Sequence, residues 1–144
     1  MTYWYLSLPF LLALSTCQHA PSSAPLEGHW KFQQLDQVHH LSTGEVIESS
    51  RHTPPQFSER SLDVTDKELI AHHVQGDKSY PGDSTYTVTR SYTRQGNTLF
   101  VVPAPGLEAG PVLITRLTEH QLTLHAQVRV PGSPYSEWDM HYVR

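Results

Sequence analysis

The chain has 144 residues, which is room for a single domain built around one hydrophobic core. Hydrophobic residues make up 38% of it and charged residues 17%, a globular balance. With a formal net charge of −4, the chain has no overall positive potential that would attract phosphate groups. The charge therefore argues against nucleic acid and against an electrostatic grip on acidic lipids, and it favours neutral, apolar or cationic partners.

The N-terminal segment has the features of an export signal. The apolar run from Leu6 to Leu14 is far shorter than the roughly 20 residues that a transmembrane helix requires, so residues 1–16 are predicted to be a signal peptide. The run leads into Leu14-Ser15-Thr16-Cys17, which resembles the bacterial lipobox: an aliphatic residue and two small residues before the cysteine that receives the lipid. Residues 17–25 then form a lipidated cysteine and a flexible tether.

Cys17 is the only cysteine, and it therefore cannot form a disulfide within the chain. Attachment of a lipid such as palmitate would give this thiol a use in an exported protein. The sequence thus predicts a lipoprotein attached to a membrane of the bacterial cell envelope through Cys17, with the outer membrane as the expected location. An ordinary cleaved signal peptide, with Cys17 removed or left free, is the alternative.

The rest of the chain has the pattern of an all-β domain. Turn-forming residues recur at short intervals, and the segments between them are rich in Thr, Val, Tyr and Leu with period-two alternation. No long segment has a convincing helical period, and no strand–helix–strand rhythm suggests a parallel sheet. The pattern predicts strands at residues 29–38, 45–50, 57–64, 68–74, 84–94, 98–102, 112–117, 122–130 and 135–143.

The predicted strands are joined by tight turns. The clearest hairpin crosses Gln95-Gly96-Asn97, where Gly and Asn tolerate a positive φ, and a second crosses Thr118-Glu119-His120-Gln121. Successive hairpins form an antiparallel up-and-down meander, and closing it into a barrel hides its edges. A barrel of about eight strands is just wide enough to be filled by side chains or to hold one small ligand.

Several short motifs, taken in order, resemble a known family. Leu26-Glu27-Gly28-His29-Trp30-Lys31 is similar to the Gly-x-Trp opening of the lipocalin first strand, and His141-Tyr142-Val143-Arg144 is similar to the closing strand with its Arg. Segments resembling the later hairpins lie between them: the first runs from Tyr92 through Gly96-Asn97-Thr98-Leu99, and the next combines Ile114-Thr115-Arg116-Leu117-Thr118 with Leu122-Thr123-Leu124. Residues 26–144 thus resemble the lipocalin-like domain of small exported bacterial lipoproteins.

The resemblance implies an all-β fold, an antiparallel meander closed into an eight- or nine-stranded lipocalin-like barrel. It also implies that Trp30 closes one end of the barrel, packed against Arg144. A cation over an indole face contributes on the order of 0.5 to 2 kcal/mol, so this role is structural. The family's barrels bind ligands, which makes a small hydrophobic molecule the expected partner.

One predicted strand has an unusual face. Between residues 84 and 94, alternation places Tyr86, Arg90 and Tyr92 together on one side. If that side points inward, the two phenols and the guanidinium are candidates to hold the polar head of a ligand such as a fatty acid, because guanidinium suits a carboxylate. The alternative is that the Tyr rings are ordinary core and that Arg90 reaches water.

The last predicted strand has a clean apolar face that carries Trp138. Trp138 is therefore predicted to line the interior, either as part of a ligand site or as core filler.

Ten histidines raise the question of a metal site. In the adjacent pairs His39-His40 and His72-His73, however, the two side chains of each pair point to opposite faces of the strand and cannot form one ligand set by themselves. Surface histidines are the preferred interpretation, and no metal is predicted.

The sequence contains no recognisable catalytic motif. The sequence has no Gly-x-Ser-x-Gly elbow and no Ser-x-x-Lys, and lipidation would occupy its one thiol. We therefore predict no enzymatic activity, no catalytic residue and no cofactor. The resulting hypothesis is a membrane-anchored barrel that binds a small apolar or amphipathic molecule. Its rival is a packed barrel that acts as a non-catalytic interaction or structural module of the envelope; the oligomeric state is left open.

Overall fold

A computed structural model describes residues 24–54, 56, 58–75, 84–103, 108–129 and 134–144. The predicted signal peptide, Cys17 and the first part of the tether lie outside the described residues. Within the described ranges all regular structure is β-strand. No helix in these ranges is long and apolar enough to cross a membrane.

Ten strands run through the described part of the chain, and nine of them fall where the alternation predicts a strand. The two-residue β7 is the one that the sequence pattern does not predict. The strands are β1 (Gly28–His40), β2 (Val46–His52), β3 (Glu59–Val64), β4 (Glu68–Gln75), β5 (Ser84–Gln95), β6 (Thr98–Val101), β7 (Glu108–Ala109), β8 (Val112–Leu117), β9 (Gln121–Arg129) and β10 (Tyr135–Val143).

The strands close into an antiparallel barrel. The hydrogen-bonded order is β10-β1-β3-β4-β5-β6-β8-β9, and β9 pairs with β10 to complete the circle of eight. Strands β2 and β3 pair with successive parts of β1, while β7 pairs with the far end of β9. The prediction of an eight- or nine-stranded up-and-down barrel is confirmed.

The two ends of the barrel differ in packing. We call base the end that holds Leu26, Arg144 and the turns after β3, β5 and β8, and mouth the opposite end, where β1 leads into β2 and β4 finishes. The buried apolar side chains gather toward the base. They are Leu26, Trp30, Phe32, Leu35, Leu62, Val64, Tyr92, Leu99, Ile114, Leu117, Leu122, Leu124 and Tyr142.

Trp30 is the largest fully buried side chain and closes the base. Its indole Nε1 donates to the backbone oxygen of Leu26 at 2.8 Å, which pins the segment before β1 under the ring. Above the ring lies the guanidinium of Arg144, with Cζ 3.9 Å from the ring centroid. The same guanidinium donates to the backbone oxygens of Pro25 and Glu27. The last residue of the chain thus holds the first strand in place.

Gly28 makes this contact possible. It has φ of +132°, a conformation that side-chain-bearing residues rarely adopt. A Cβ placed there would also come within 2.9 Å of Nη2 of Arg144. The glycine of the Gly-x-Trp opening is therefore required both by its backbone angle and by the close approach of the guanidinium.

Replacing Arg144 tests the closure of the base. Arg144→Ala removes a cation–π contact worth about 0.5 to 2 kcal/mol, together with hydrogen bonds to two backbone oxygens. We expect a loss of unfolding free energy of about 1 to 3 kcal/mol in urea titrations. Arg94→Ala is the matched control, because among the described residues the hydrogen bond of that exposed guanidinium stays within its own turn, to Gly96. Equal losses in both variants would contradict the structural role of Arg144.

Candidate ligand-binding site

The inward face of the barrel changes character from base to mouth. Toward the mouth, the inward residues of β1 and β10 pair across the ladder as Gln37 with Trp138 and His39 with Ser136. These four side chains are half-buried, whereas Trp30 and Leu35 nearer the base are buried. The interior is thus packed at the base and keeps solvent access toward the mouth.

Trp138 occupies the inward face of β10, between Gln37 of β1 and Ala126 of β9. It packs against the edge of the buried core. Its Nε1 is buried and has no hydrogen-bond partner among the described residues. A buried donor left unpaired costs about 1 to 3 kcal/mol, so an acceptor brought by a ligand would be favourable at this position.

The other predicted ligand residues lie on the inward side of β5 but are separated along it. Tyr92 is buried near the base, where its hydroxyl donates to the backbone oxygen of Thr65 at 2.7 Å. Arg90 is half-buried and donates from Nη1 to the backbone oxygen of Thr89. Tyr86 lies nearest the mouth, is 44% exposed and stacks on His73, with ring centroids 4.9 Å apart. Tyr86 and Tyr92 therefore do not form one head-group site.

An open depression of about 490 Å³ runs over β3, β4 and β5 near the mouth. Such a volume is within the range of small-molecule sites. His73 and Tyr86 point to the inward side of the sheet, whereas His72, Val74, Thr85 and Thr87 on the same two strands point outward. Because its lining comes from both sides of the sheet, the depression lies over the rim of the barrel and is not an enclosed interior cavity. Its lining residues are Arg60, His72, His73, Val74, Thr85, Tyr86 and Thr87.

Glu59 is an acidic residue inside the barrel that the sequence pattern does not identify. Leu62 and Val64 of β3 face the core, and simple alternation would therefore place Arg60 inward. A bulge between Glu59 and Ser61 shifts the register against β4 and turns Glu59 inward instead. Glu59 is 6% exposed, which is unusual for a carboxylic acid.

The surroundings of Glu59 favour its neutral form. The hydroxyl of Tyr142, fully inside the core, donates to Oε1 of Glu59 at 2.7 Å. Burial raises the pKa of Glu59 to about 7, against smaller lowering effects from this hydrogen bond and from the charge of His72. The same burial, with the nearby carboxyl group, raises the pKa of Tyr142 well above its ordinary value. Glu59 therefore titrates near neutral pH.

The outward face carries a second set of polar groups that the sequence pattern does not reveal. Asp63 accepts from His29 at 2.6 Å and from His72 at 2.7 Å, which links β1, β3 and β4. Asp36 accepts from Arg51 at 2.6 Å and lies 3.2 Å from His141. These histidines thus lie at the surface, as predicted, but in cross-strand pairs.

The outer pairs set the ionisation of their acids. The hydrogen bond from His29 lowers the pKa of Asp63, and the hydrogen bond from Arg51 lowers that of Asp36. Exposed pairs of this kind each contribute little, typically below 1 kcal/mol. In the described ranges, no group of three or more His, Cys, Asp or Glu side chains is arranged to hold a metal ion.

The raised pKa of Glu59 predicts how the free energy of unfolding depends on pH. Its pKa in the folded state is about 7, against 4.5 for the free group, so the protonated form stabilises the fold below pH 4.5 and this contribution is lost as the pH rises through 7. At 1.36 kcal/mol per pKa unit the loss is about 3 kcal/mol. Urea unfolding at pH 5 and pH 8 should show the loss in the wild type and its absence in Glu59→Gln. Glu48→Gln, on exposed β2, should behave as the wild type. Parallel curves for the wild type and Glu59→Gln would mean that the carboxyl group is not buried.

Comparisons with known proteins bear on the fold. No protein-family model matches the chain, and no curated protein matches it in sequence. A deswapped triple mutant of bovine odorant-binding protein superposes with a TM-score of 0.50 at 13% identity, over 81% of this chain and 72% of that one. A dog lipocalin allergen gives a TM-score of 0.50 at 13% identity, over 83% and 74%. At such low identity the likeness concerns the fold alone. The closed eight-stranded barrel thus has a lipocalin-like fold, as the resemblance of its Gly-x-Trp opening and closing Arg predicts.

Proposed function

We propose that the barrel binds a small apolar or amphipathic molecule on its inward face, between the packed base and the mouth. The observation that carries the proposal is the contrast along the interior: Trp30 is fully buried, while Trp138, Gln37 and His39 remain half-buried and face inward. A ligand with apolar surface would cover these side chains, at a gain of roughly 25 cal/mol for each Å² removed from water.

The buried Nε1 of Trp138 gives the proposal a polar contact. Small-molecule sites are mostly apolar, with a few placed polar groups that fix the ligand's orientation. An unpaired indole N–H among half-buried inward residues fits that description. One of the two similar structures is named an odorant-binding protein, which is consistent with a small-molecule site in a barrel of this shape.

The rival hypothesis is a packed barrel that works as an interaction or structural module. It requires the inward residues near the mouth to be covered by the protein itself.

Catalysis is a third hypothesis, and it requires a nucleophile beside a positioned base. Glu59 with Tyr142 is the most deeply buried polar pair inside the barrel, and a carboxyl group bonded to a phenol does not by itself supply that arrangement.

Binding can be measured through Trp138. The test uses the full chain with Cys17→Ala, purified from cells without refolding. Native mass spectrometry with lipid extraction should detect a retained small molecule, and titration with 1-octanol should change the tryptophan emission. Trp138→Phe keeps most of the ring area and loses the N–H, so affinity for octanol, measured by calorimetry because the variant lacks the reporting indole, should fall about two- to tenfold, the equivalent of one hydrogen bond.

Tyr135→Phe is the control for Trp138→Phe. Tyr135 begins the same strand but faces outward, stacked on His40 at 4.5 Å and covered by Arg129. Its replacement should leave octanol binding unchanged. A bare mass, together with no change in emission or melting temperature on adding octanol or a fatty acid, would eliminate the ligand-binding proposal and favour the interaction module.

We further propose that Cys17 carries a lipid that attaches the protein to the cell envelope. The support is sequence-based: the apolar run from Leu6 to Leu14 leads into Leu14-Ser15-Thr16-Cys17, and no other cysteine is present. One acyl chain gives only marginal membrane binding, so stable attachment is expected to involve more than one. The short segment from Cys17 to the buried Leu26 would keep the base of the barrel close to the membrane.

Cys17→Ser tests the anchor. In cells supplied with an alkyne analogue of palmitate, the wild type should be labelled and recovered in the membrane fraction. The variant should lose the label completely and move to the soluble fraction. Ser15→Ala, which keeps a small residue before the cysteine, should retain both properties. A labelled Cys17→Ser variant, or an unlabelled wild type, would contradict lipid attachment at this residue.

A further inference from the structure

Among the described residues, the inward carboxyl group of Glu59 has one side-chain hydrogen-bond partner and forms no ion pair. Tyr142 donates to Oε1, while Oε2 has no hydrogen-bond partner among the described residues. None of the ion pairs of the described chain includes Glu59. Removing an acid from water without a compensating charge is costly. The bulge before Ser61 nevertheless places this acid inside the barrel.

In the described part of the chain, no group around Glu59 forms a direct ion pair with its carboxylate. On β4, His73 is its cross-strand partner, and burial lowers the pKa of this histidine, so the ring is neutral at neutral pH. The hydroxyl of Ser58 lies within hydrogen-bond distance of Nδ1 of His73, at 3.2 Å, and the imidazole ring of His73 stacks on Tyr86. Titratable or charged side chains on the surrounding strands include Arg60 on β3, His72 and His73 on β4, Tyr86 and Arg90 on β5, His39 on β1 and Tyr142 on β10, and among them the charge of His72 lowers the pKa of Glu59 slightly.

We propose that Glu59 is the polar anchor of the interior site and that the ligand carries a protonated amine on an apolar body. This inference rests on the proposed ligand-binding function and specifies the ligand class. An ammonium group would donate to Oε2 and place a positive charge directly at the carboxylate. A hydrogen bond between two charged groups is roughly twice as strong as a neutral one, and Tyr142 already holds the carboxyl group in place.

Aromatic residues on the same inward side favour a cation over an anion. Trp138 on β10 and Tyr86 on β5 both lie on the inward face, and a cation within about 6 Å of an aromatic ring face is attracted to it. A fatty acid would place a second carboxylate in the barrel with Glu59, and like charges oppose each other's ionisation. Arg90 could bind a fatty acid only if the carboxylate stays away from Glu59.

Proton linkage gives the amine proposal a distinct signature. Glu59 must be ionised to pair with an ammonium, and its pKa is about 7 in the unliganded barrel. At pH 6 about a tenth of the molecules hold the anion, and at pH 8 about nine-tenths do. Affinity for an alkylammonium should therefore rise roughly tenfold between these pH values, and binding at pH 6 should release nearly one proton.

The experiment compares three probes of the same length: octylammonium, 1-octanol and octanoate. The full chain with Cys17→Ala is titrated by calorimetry at pH 6 and pH 8, in two buffers of different ionisation enthalpy to count protons. Octylammonium keeps its charge at both values, since alkylamines titrate near pH 10. We expect it to bind most tightly of the three at pH 8, with a tenfold rise from pH 6.

Two variants and one control assign the effect to Glu59. Glu59→Gln should abolish the pH dependence for octylammonium, weaken its binding at pH 8 at least tenfold and spare 1-octanol. Tyr142→Phe removes a hydrogen bond that lowers the pKa of Glu59, so the midpoint of the pH dependence should move to higher pH. Glu48→Gln, exposed on β2, should match the parent. Melting temperatures show whether each variant is folded.

The outcomes separate this inference from the function on which it rests. If 1-octanol and octanoate bind but octylammonium binds no better and shows no pH dependence, the barrel binds ligands and the amine proposal is wrong. Tightest binding of octanoate, weakened by Arg90→Gln, would instead assign the head group to Arg90. If none of the three probes binds, the proposed ligand-binding function itself fails.

Discussion

Arg144 lies over the indole of Trp30 and so joins the end of the chain to its first strand. An up-and-down barrel depends on this seam, because its first and last strands must pair although almost the whole chain separates them. The hydrogen bond from Arg144 to Glu27 spans 117 positions, and closing so long a loop costs conformational entropy. The seam contacts offset that cost, and Gly28 allows the guanidinium to approach.

Closure at the base also determines where a ligand could enter. Large apolar side chains such as Trp30, Leu35 and Leu122 are fully buried toward the base. The inward positions of the other half carry Gln37, His39 and Ser136, which retain polar surface and some contact with water. A barrel packed at both ends would leave no room for a ligand. The uneven distribution of apolar residues therefore favours the mouth as the place for the proposed binding.

Alternation made most of the fold predictable, because in a regular strand successive side chains lie on opposite sides of the sheet. It correctly places Trp138 and Tyr92 on the inward face, yet it does not tell how far along the barrel axis each residue lies. Tyr92 in fact lies at the base end of the barrel, where its hydroxyl donates to the backbone oxygen of Thr65. Glu59 could not be predicted, since a single bulge reverses the alternation between it and Leu62. The pairing of Asp63 with His72 likewise requires knowing which strands are neighbours.

The barrel wall separates two groups of acids whose pKa values move in opposite directions. Outside, hydrogen bonds from His29 and Arg51 lower the pKa values of Asp63 and Asp36, so these acids stay ionised well into the acid range. Inside, burial raises the pKa of Glu59 to about 7. Mild acid thus neutralises Glu59 before it protonates Asp63 and Asp36. For a ligand held by the Glu59 carboxylate, release would then require only protonation of one buried group.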